Sequence, residues 1–309
     1  MADGDTWLVE QGAAGNDVTW MRRALRLALR SSGRTWPNPG VGCVLVRDGR
    51  LLGAGRHERC GGPHAEILAL EACRAEGRDP RGATAFITLV PCTRHGRTPP
   101  CTQALIRAGV QRVVAALPDP VQDAAGAVLA AAGIRYETGL LADLAVRLHG
   151  GFISRVSTGR PRITAKWAMT LDGHLACADG SSAWISSPGA LRANRRRRRL
   201  YDAILVGGGT ARRDDPRLLG PDPQRSPLRV VLSGSGDLPM AGHLVQTAGR
   251  HPVLVVHDGR CPPERGRRLQ DAGVGLLAVH DVADVAAVCQ ALGGVGLNEV
   301  LVEGGSSLH

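Results

Sequence analysis

The chain has 309 residues, of which 43% are apolar, so it is long enough for two domains that each bury a hydrophobic core. Its first twenty residues, MADGDTWLVEQGAAGNDVTW, lack the apolar stretch of a signal peptide. No run in the chain approaches the roughly eighteen apolar residues that a membrane-spanning helix requires. These features exclude a membrane partner and predict a soluble, cytoplasmic protein.

The chain is strongly basic, with a net charge of +10 at pH 7. Such a charge is compatible with nucleic acid, membrane surfaces or small anions as ligands. All but one of the 38 basic residues are arginine, and the exception is Lys166. A single compact ammonium suggests a position that a planar guanidinium does not fit. The arginine run at 195–199 is interpreted as a solvated helix face, and an aromatic content of 3% disfavours a platform for stacking nucleic-acid bases.

The first half of the sequence predicts alternating helices and strands. MRRALRLALRSSG is typical of an amphipathic helix, with Asp17 and Thr19 as its expected caps. VGCVLV and RLLGAG are joined by Asp48 and Gly49, which suit the positive φ angles of a tight hairpin. HAEILALEACRAEG and CTQALIRAG predict helices, whereas ATAFITL and QRVVAAL predict strands. The first half is therefore a β/α domain.

The second half predicts a further α/β domain with a mainly parallel sheet. Its expected strands are RITAKWAM, DAILVGG, LRVVLS, HPVLVVH, VGLLAVH and EVLVEGG, and its expected helices cover 188–200 and 282–292. The polar run from Ser157 to Pro161 is typical of a linker. We therefore predict a tail at residues 1–17, a first domain at 18–156 and a second domain at 157–309.

One imidazole and two thiols occur in a split motif that suits a zinc ion. His64 begins the sequence HAE, and Cys92 and Cys101 enclose eight residues in PCTRHGRTPPC. A hydrolytic zinc site has three protein ligands and one position for water, whose pKa the metal lowers. His64, Cys92 and Cys101 are the predicted ligands. Glu66, two residues after the histidine, is the predicted catalytic residue that moves protons beside the metal. The combination predicts a hydrolytic deaminase.

Two other interpretations of this motif remain open. The thiols could lie in a hydrophobic core with the histidine at the surface, or the zinc could be structural and closed by His95 or His57. The remaining cysteines lack the spacing of metal ligands, and we interpret them as structural residues: Cys43, Cys60, Cys73, Cys177, Cys261 and Cys289.

Three segments resemble the bifunctional deaminase-reductase family of riboflavin biosynthesis. They are NPGVG at 38–42, GAGRHERCGGPHAE at 53–66 and PCTRHGRTPPC at 91–101. The GRTPP loop between the cysteines is the most specific piece, since cytidine and tRNA-adenosine deaminases usually have a much shorter spacing. The resemblance covers roughly residues 18–309. It implies an α/β fold with an N-terminal cytidine-deaminase-like α/β/α sandwich and a C-terminal dihydrofolate-reductase-like α/β domain.

The resemblance also implies two reactions and their ligands. Members of the family use zinc to deaminate 2,5-diamino-6-ribosylamino-4(3H)-pyrimidinone 5′-phosphate, and then reduce the ribosyl group with NADPH. The family's contacts to this phosphorylated aminopyrimidine fall on Asn38, His57, Arg97 and Asp119. An amide suits the donors and acceptors of the ring, and an arginine suits the phosphate.

The chain departs from the family around the first site. The family usually has glutamate where this chain has Val90, and histidine where it has Arg94. An Asn-Pro pair of the family is replaced at Val121, whose side chain cannot form hydrogen bonds. We therefore expect the deamination machinery to be complete and substrate recognition to be altered.

The second half resembles the reductase part of the family through TGRPRITAKWAMTLDG, SSAWIS, DAILVGGGTARRDDPRLL and LVEGG. Lys166, Gly207, Thr210, Gly304 and Gly305 match the cofactor side, where glycine lets backbone amides approach phosphate closely. The positions that match the substrate side are Ser182, Trp184, Arg198, Asp214 and Glu303.

Two features favour an incomplete reductase. The family's arginine after DDPxL is replaced near Gly220, and relatives continue for some fifty residues beyond VEGGSSLH. We therefore expect a truncated domain that lacks edge strands of the core and of a dimer interface. A homo-oligomer, dimer or tetramer, is expected. Two alternatives remain: the reductase-like half is inactive or its substrate altered, or the chain is a basic nucleic-acid-binding deaminase.

Overall fold

The computed structural model describes residues 16–95, 99–121, 124–177, 185–222, 226–305 and 308. The chain forms two compact units, and the division between them falls between Ser157 and Thr158. None of the helices in the described part of the chain combines the length and the apolar character that a membrane span requires.

The first unit alternates helices and strands along the chain. Its helices are α1 (Asp17–Leu29), α2 (Ala65–Ala75), α3 (Cys101–Arg107), α4 (Ala125–Ala131) and α5 (Ala142–Thr158). Its strands are β1 (Gly42–Arg47), β2 (Arg50–Arg56), β3 (Thr84–Ile87), β4 (Arg112–Ala115) and β5 (Arg135–Thr138). The strands form one sheet in the order β2-β1-β3-β4-β5, in which β1 is antiparallel to both neighbours and β3, β4 and β5 are parallel.

Helices cover both faces of this sheet, because successive side chains of a strand point to opposite faces. Cys43 and Leu45 of β1 pack in a core with residues of α2, α3 and α4. Val44 and Val46 pack on the other face with residues of α1 and α5. The arrangement is the α/β/α sandwich expected for the first domain.

Local sequence signals explain the hairpin between β1 and β2 and the start of α1, although the residue that caps α1 is not one of those predicted. Asp48 and Gly49 both have positive φ angles, 51° and 69°, and connect β1 to β2 as predicted. The predicted caps of α1 are wrong. Asn16 caps the helix, since its side-chain oxygen accepts a hydrogen bond of 2.9 Å from the backbone N–H of Thr19.

Two glycines of β2 let α2 pack closely on the sheet. A Cβ atom on Gly53 would lie 2.2 Å from the carbonyl oxygen of Ala69, and one on Gly55 would lie 2.3 Å from that of Ala65. Both distances are too short for any side chain. The close packing fixes the first turn of α2, which carries the HAE motif.

A buried histidine joins α5 to the end of β3. His149 Nε2 lies 3.1 Å from Thr88 Oγ1, and that hydroxyl accepts a hydrogen bond of 3.2 Å from the N–H of Gly42. The imidazole and the Thr88 hydroxyl therefore share a hydrogen bond inside the protein. Burial lowers the pKa of His149 to about 4.

This histidine predicts a loss of stability in mild acid. Because its pKa is lowered in the folded state, the unfolded chain binds the extra proton first, and stability falls as the pH drops from the ordinary value of 6.5 towards 4. The expected loss from this group is about 2 kcal/mol between pH 7 and pH 5. Urea unfolding of the wild type and of His149→Gln at pH 7 and pH 5 measures this loss in the free energy of unfolding. The variant should lose about 2 kcal/mol less than the wild type, and an equal loss in both would contradict the assignment.

Among its described residues, the second unit contains a six-stranded sheet, five α-helices and a short 3-10 helix at Arg198–Leu200. The strands are β6 (Arg162–Ala165), β7 (Ala203–Gly207), β8 (Leu228–Leu232), β9 (Val253–His257), β10 (Gly275–Ala278) and β11 (Glu299–Gly304). The helices are α6 (Pro188–Arg197), α7 (Gly208–Asp214), α8 (His243–Gln246), α9 (Pro263–Asp271) and α10 (Val285–Gly294).

All pairs in the second sheet are parallel, in the order β10-β9-β8-β7-β11-β6, which confirms the predicted parallel sheet. The carboxyl ends of all six strands therefore lie at one edge. Its core includes Ile204 and Val206 of β7, Val255 of β9 and Leu269 of α9. In open parallel sheets of this kind, ligands bind beyond the carboxyl edge.

The predicted linker is partly wrong. Ser157 and Thr158 are the last residues of α5, since the helix continues two residues past the expected end of the first domain. Gly159, with a φ angle of 75°, then ends the helix before β6 begins.

Candidate active site

Three side chains of the first unit bring their ligand atoms together. Cys92 Sγ lies 3.6 Å and Cys101 Sγ 3.3 Å from Nδ1 of His64. The ligand atoms of the three residues all lie within 4.8 Å of one another. One imidazole nitrogen and two sulfurs form a donor set that zinc binds tetrahedrally, with a fourth position left for water.

Local structure explains how residues far apart in sequence meet here. His64 is the N-cap residue of α2, and Cys101 is the first residue of α3. The backbone N–H of Cys101 donates to Cys92 Sγ at 3.3 Å, while Thr102 N–H and its hydroxyl both donate to the carbonyl of Cys92 at 3.2 Å. These bonds tie the loop after β3 to the start of α3, where the helix dipole favours thiolate.

The charges of the two thiols are linked. Their mutual contact lowers the pKa of Cys92 to about 4, and the same contact together with burial raises the pKa of Cys101. The hydrogen bond with Cys92 raises the pKa of His64. The lowered pKa of Cys92 favours its thiolate form, the form that binds a divalent metal.

Glu66 lies in the first turn of α2 beside the three ligand atoms. Its side chain is buried, with the whole residue only 3% exposed. Burial is the main reason that its pKa is raised to about 7. A carboxyl group with this pKa can both accept and donate a proton near neutral pH.

A pocket of about 190 Å³ opens beside these groups. Asn38, His57 and Asp119, three of the predicted substrate contacts, line it together with His64, Cys92 and Glu66. Leu89 and Phe152 also line the pocket, the first from the loop after β3 and the second from α5. Neither residue has a local signal in the sequence that would mark it as a pocket residue.

Asn38 and His57 are hydrogen-bonded to each other in the lining of the pocket. His57 Nδ1 lies 2.9 Å from the carbonyl oxygen of Pro63, so this nitrogen carries the proton. Nε2 then accepts from the Asn38 amide at 3.5 Å. Burial lowers the pKa of His57, which keeps the ring neutral. The contact fixes which end of the amide faces the histidine.

The alternative of a closed structural zinc has no support among the described residues. The only group there that could hold a metal is His64, Cys92 and Cys101. Both ring nitrogens of His57 already form hydrogen bonds, with the carbonyl of Pro63 and the amide of Asn38. His95 is exposed. The alternative of core thiols with a surface histidine is wrong, because His64 faces both sulfurs.

The three departures from the family pattern lie in different surroundings. Val90 lines the pocket and also packs against Ala115 and Ala125, so an apolar surface stands where the family has a carboxylate. Arg94 is exposed. Val121 is 49% exposed, and its N–H donates to Asp119 Oδ1 at 2.8 Å, which orients that carboxylate.

In the second unit, two predicted substrate contacts form an ion pair. Arg198 Nε and Nη2 donate to the two carboxylate oxygens of Glu303 at 2.8 and 2.7 Å. Their side chains are 18% and 7% exposed. Arg198 also donates to the carbonyl of Leu219 at 2.9 Å. A guanidinium held in this way presents a fixed edge to an anion.

Lys166 follows β6 directly, and its N–H donates to the carbonyl of Val302 at 2.9 Å. That contact places it beside the carboxyl end of β11, near Glu303. The remaining members of the arginine run, Arg195 to Arg197 and Arg199, are exposed, as expected for a solvated helix face.

The predicted cofactor residues meet at the carboxyl ends of β7 and β11. A Cβ atom on Gly305 would lie 3.3 Å from Thr210 Oγ1 and 4.0 Å from the Cα of Gly207. Gly304 and Gly305 have φ angles of 150° and 99°, which L side chains rarely adopt. Without side chains, these glycines let other groups pack close to the backbone, and the side chain of Leu308 lies there: a Cβ atom on Gly207 would be 3.4 Å from its Cδ1.

The other predicted positions are Asp214, Arg97, Ser182 and Trp184. Asp214 is exposed at the end of α7, while the next residue, Asp215, bonds His243 Nδ1 at 2.6 Å. Arg97, Ser182 and Trp184 lie outside the described residues. The interpretation of the spare cysteines as structural is wrong for Cys60 and Cys177, which are exposed and so do not pack in a core.

Comparison with known protein families assigns both halves of the chain. The model of the cytidine and deoxycytidylate deaminase zinc-binding region matches residues 15–117. The model of the RibD C-terminal domain matches residues 161–309. The predicted fold class, a cytidine-deaminase-like domain followed by a reductase domain, is thus confirmed.

Individual relatives match nearly the whole chain. The riboflavin biosynthesis protein RibD of Escherichia coli K12 is 40% identical, over 94% of this chain and 82% of that protein. RibD of Synechocystis is 42% identical, over 88% of this chain and 74% of that protein.

Solved structures give the same result. A diaminohydroxyphosphoribosylaminopyrimidine deaminase/5-amino-6-(5-phosphoribosylamino)uracil reductase from Thermotoga maritima superimposes with a TM-score of 0.82 at 36% identity, over 94% of this chain and 81% of its own. RibD of Acinetobacter baumannii gives a TM-score of 0.83 at 36% identity, with the same shares of each chain covered. The chain therefore belongs to the RibD family of riboflavin biosynthesis, with a zinc-dependent deaminase and an NADPH-dependent reductase on one polypeptide.

Proposed function

We propose that the first unit deaminates the phosphorylated diaminopyrimidine of riboflavin biosynthesis at the pocket around His64, Cys92, Cys101 and Glu66. The observation that carries the proposal is the buried carboxyl of Glu66 beside a nitrogen and two sulfurs that suit zinc. The Thermotoga maritima relative bears the name of a deaminase for this type of substrate, which supports the same substrate class here.

In this proposal the protein residues divide the work between metal binding and proton transfer. His64, Cys92 and Cys101 hold the zinc ion, which supplies a Lewis acid that lowers the pKa of water. Glu66 takes a proton from the attacking water and delivers protons to the ring nitrogen and to the leaving amine. A C–O bond forms, the C–N bond breaks, and ammonia leaves. A Glu66 pKa of about 7 suits both proton transfers.

Recognition of the substrate is assigned to the rim of the same pocket. Asn38, oriented by neutral His57, reads the pyrimidine ring, and Asp119 contacts the ribose. Arg97, in the loop between the two cysteines, binds the phosphate. Val90 stands where the family usually has a glutamate, so the pocket has an apolar surface at this position. The pyrimidine ring therefore has one polar contact fewer.

We propose that the second unit reduces the ribosyl group of the deaminated product. Arg198 and Glu303, paired with each other, bind the ribose phosphate and hydroxyls, together with Ser182, Trp184 and Asp214. The reductant NADPH binds at the glycines that end β7 and β11, with Thr210 and Lys166. The ordered ion pair between Arg198 and Glu303, together with the glycines that match the cofactor side, supports an active reductase over an inactive one.

We also propose a cytoplasmic homo-oligomer, dimer or tetramer. Support comes from the edge strand β6, where Ile163 is exposed, and from Trp167, Met169 and Leu171 just after it, which are exposed as well. Exposed apolar residues at a sheet edge are typical of an interface between subunits. Light scattering that gives the mass of one chain at micromolar concentration would rule this out.

The substrate proposal is tested by ammonia release without NADPH. The diaminopyrimidine ribose phosphate, its unphosphorylated form, dCMP and single-stranded DNA are offered to the zinc-loaded protein. We expect turnover of the phosphorylated diaminopyrimidine and at least a hundredfold lower kcat/KM for the other three. Preferred turnover of DNA, with a steep dependence on salt, would instead favour the nucleic-acid-binding deaminase suggested by the net charge of +10.

A further inference from the structure

Helix α5 supports the deamination pocket through three successive side chains. His149, Phe152 and Arg155 are three residues apart along the helix, a spacing that puts each next to the following one on the helix surface. Phe152 lines the pocket directly. The other two side chains contact segments of the chain that line it, and they do so from either side of Phe152 along the helix.

His149 supports the part of the pocket wall that is made by the loop after β3 and the start of β1. Its Nε2 lies 3.1 Å from the Thr88 hydroxyl, which accepts a hydrogen bond of 3.2 Å from the N–H of Gly42. The N–H of Thr88 in turn donates to the Gly42 carbonyl at 3.1 Å. Leu89 follows Thr88, Val41 precedes Gly42, and both line the pocket. Hydrogen bonds therefore tie this part of the wall to α5.

Arg155 holds the turn that carries Asn38. Its Nη2 donates a hydrogen bond of 2.7 Å to the carbonyl of Pro37, the residue before Asn38. Its guanidinium carbon lies 5.8 Å from the centroid of the Phe152 ring, within the range of an attractive cation–π contact. The ring therefore helps to fix the guanidinium, and the guanidinium fixes the backbone of the turn.

The position of Asn38 depends on this backbone contact. The hydrogen bond between the Asn38 amide and His57 is long, at 3.5 Å, so it orients the amide without fixing where the residue lies. The N–H of Asn38 donates to the carbonyl of Thr35 at 2.8 Å, but that bond lies within the same turn. The bond from Arg155 to Pro37 comes from outside the turn and ties it to α5. Loss of this bond should let Asn38 move relative to the rest of the pocket.

We propose that Arg155 is a positioning residue of the deamination site, which acts through Asn38 on the binding of the substrate's pyrimidine ring. The described lining of the pocket includes Asn38 and Phe152 but not Arg155, so the effect of the arginine passes through its neighbours. The proposal rests on the proposed role of Asn38 as the residue that reads the ring. Zinc binding and proton transfer depend on other elements, since His64 and Glu66 belong to the start of α2. Arg155 therefore governs substrate affinity and not the chemical step.

The test measures kcat and KM for ammonia release without NADPH, with the full-length zinc-loaded protein and the diaminopyrimidine ribose phosphate. Arg155→Met keeps the length of the side chain and removes every donor, whereas Arg155→Lys keeps a charged donor for the Pro37 carbonyl but has no planar group. Both substitutions are also made on Asn38→Ala, which completes a double-mutant cycle for each. Arg147→Met is the matched control, because Arg147 is exposed on the same helix. Zinc content and urea unfolding are measured for every variant.

We expect Arg155→Met to raise KM about tenfold and to change kcat less than about twofold, because it removes a hydrogen bond from a charged donor that affects only substrate binding. Arg155→Lys should raise KM only about threefold, and Arg147→Met should match the wild type. On the Asn38→Ala background, either Arg155 substitution should change kcat/KM less than about twofold, since its effect passes through Asn38. If Arg155→Met fails to fold, the two Arg155→Lys variants carry the same test.

Three results would overturn this inference alone: a wild-type KM in the Arg155 variants, a fall in kcat or zinc content with KM unchanged, or the same loss of kcat/KM on both backgrounds. A wild-type KM in Asn38→Ala would overturn the proposed role of Asn38 as well. A zinc-loaded wild type that releases no ammonia from this substrate would overturn the proposed function itself.

Discussion

Replacing Glu66 with glutamine is expected to lower the rate of ammonia release by about 10³-fold while zinc stays bound. Proton transfer by a positioned side chain contributes about 10²- to 10⁴-fold to a reaction of this type. Glutamine has nearly the same size and fits the same buried position, but it cannot accept a proton from water. Zinc content by atomic absorption and ammonia release by a coupled assay measure the two effects separately.

The effect should be confined to the buried carboxyl. Glu71 lies on the same helix, α2, and is exposed, so Glu71→Gln is the matched control and should keep the wild-type rate. NADPH-dependent reduction of the deaminated product should be unchanged in both variants. If Glu66→Gln retains zinc and releases ammonia at the normal rate, Glu66 is not the proton-transferring residue.

The second large effect is expected from Cys101→Ser. Its sulfur lies 3.3 Å from His64 Nδ1, and its N–H donates to Cys92 Sγ. Serine keeps the start of α3 but replaces a thiolate by a hydroxyl, which is a poor zinc ligand. We expect zinc affinity to fall at least about 100-fold, and ammonia release to fall with the zinc content.

Cys60 provides the comparison for this variant, because it belongs to the same unit, is exposed and is absent from the metal group. Cys60→Ser should bind one zinc per chain and keep its activity. Cys101→Ser should still reduce the deaminated product supplied to it, because the reductase residues belong to the other unit. Full zinc occupancy and activity in Cys101→Ser would remove Cys101 from the site.

The sequence predicts the parts of this molecule that are specified locally. Asp48 and Gly49 fix a hairpin by their backbone preferences alone. The continuous apolar runs of β7, β8 and β9 indicate strands covered on both faces, and the sheet is parallel as expected. The zinc site could also be predicted, because few kinds of site combine one histidine, two cysteines and a nearby glutamate at such spacing. The residues concerned are His64, Glu66, Cys92 and Cys101.

Several short or polar helices could not be predicted, because their sequences lack a clear pattern of apolar residues. The helices α7, α8 and α9 were not predicted, because α7 and α9 are rich in arginine and α8 has only four residues. α4 was also missed, since its alanine-rich sequence has no marked polar face. Their helical form comes from packing on the sheets, which periodicity over so few residues does not indicate.

Contacts between distant residues lie beyond sequence reasoning for a different reason. The bond between Asn38 and His57 depends on the fold, which brings a turn before β1 beside the end of β2. The contact between Arg155 of α5 and Pro37 of the same turn likewise depends on the fold. Neither pair has a motif, so only the three-dimensional arrangement reveals which residue orients which.

The central claim is that one chain performs deamination and then reduction. The most direct measurement follows ammonia and NADPH in the same sample of zinc-loaded protein with the diaminopyrimidine ribose phosphate. We predict equal amounts of ammonia released and NADPH oxidised, ammonia release that continues without NADPH, and loss of both when zinc is removed beforehand. NADPH oxidation that proceeds at full rate without zinc on the same substrate, or ammonia release with no NADPH oxidation, would contradict the account.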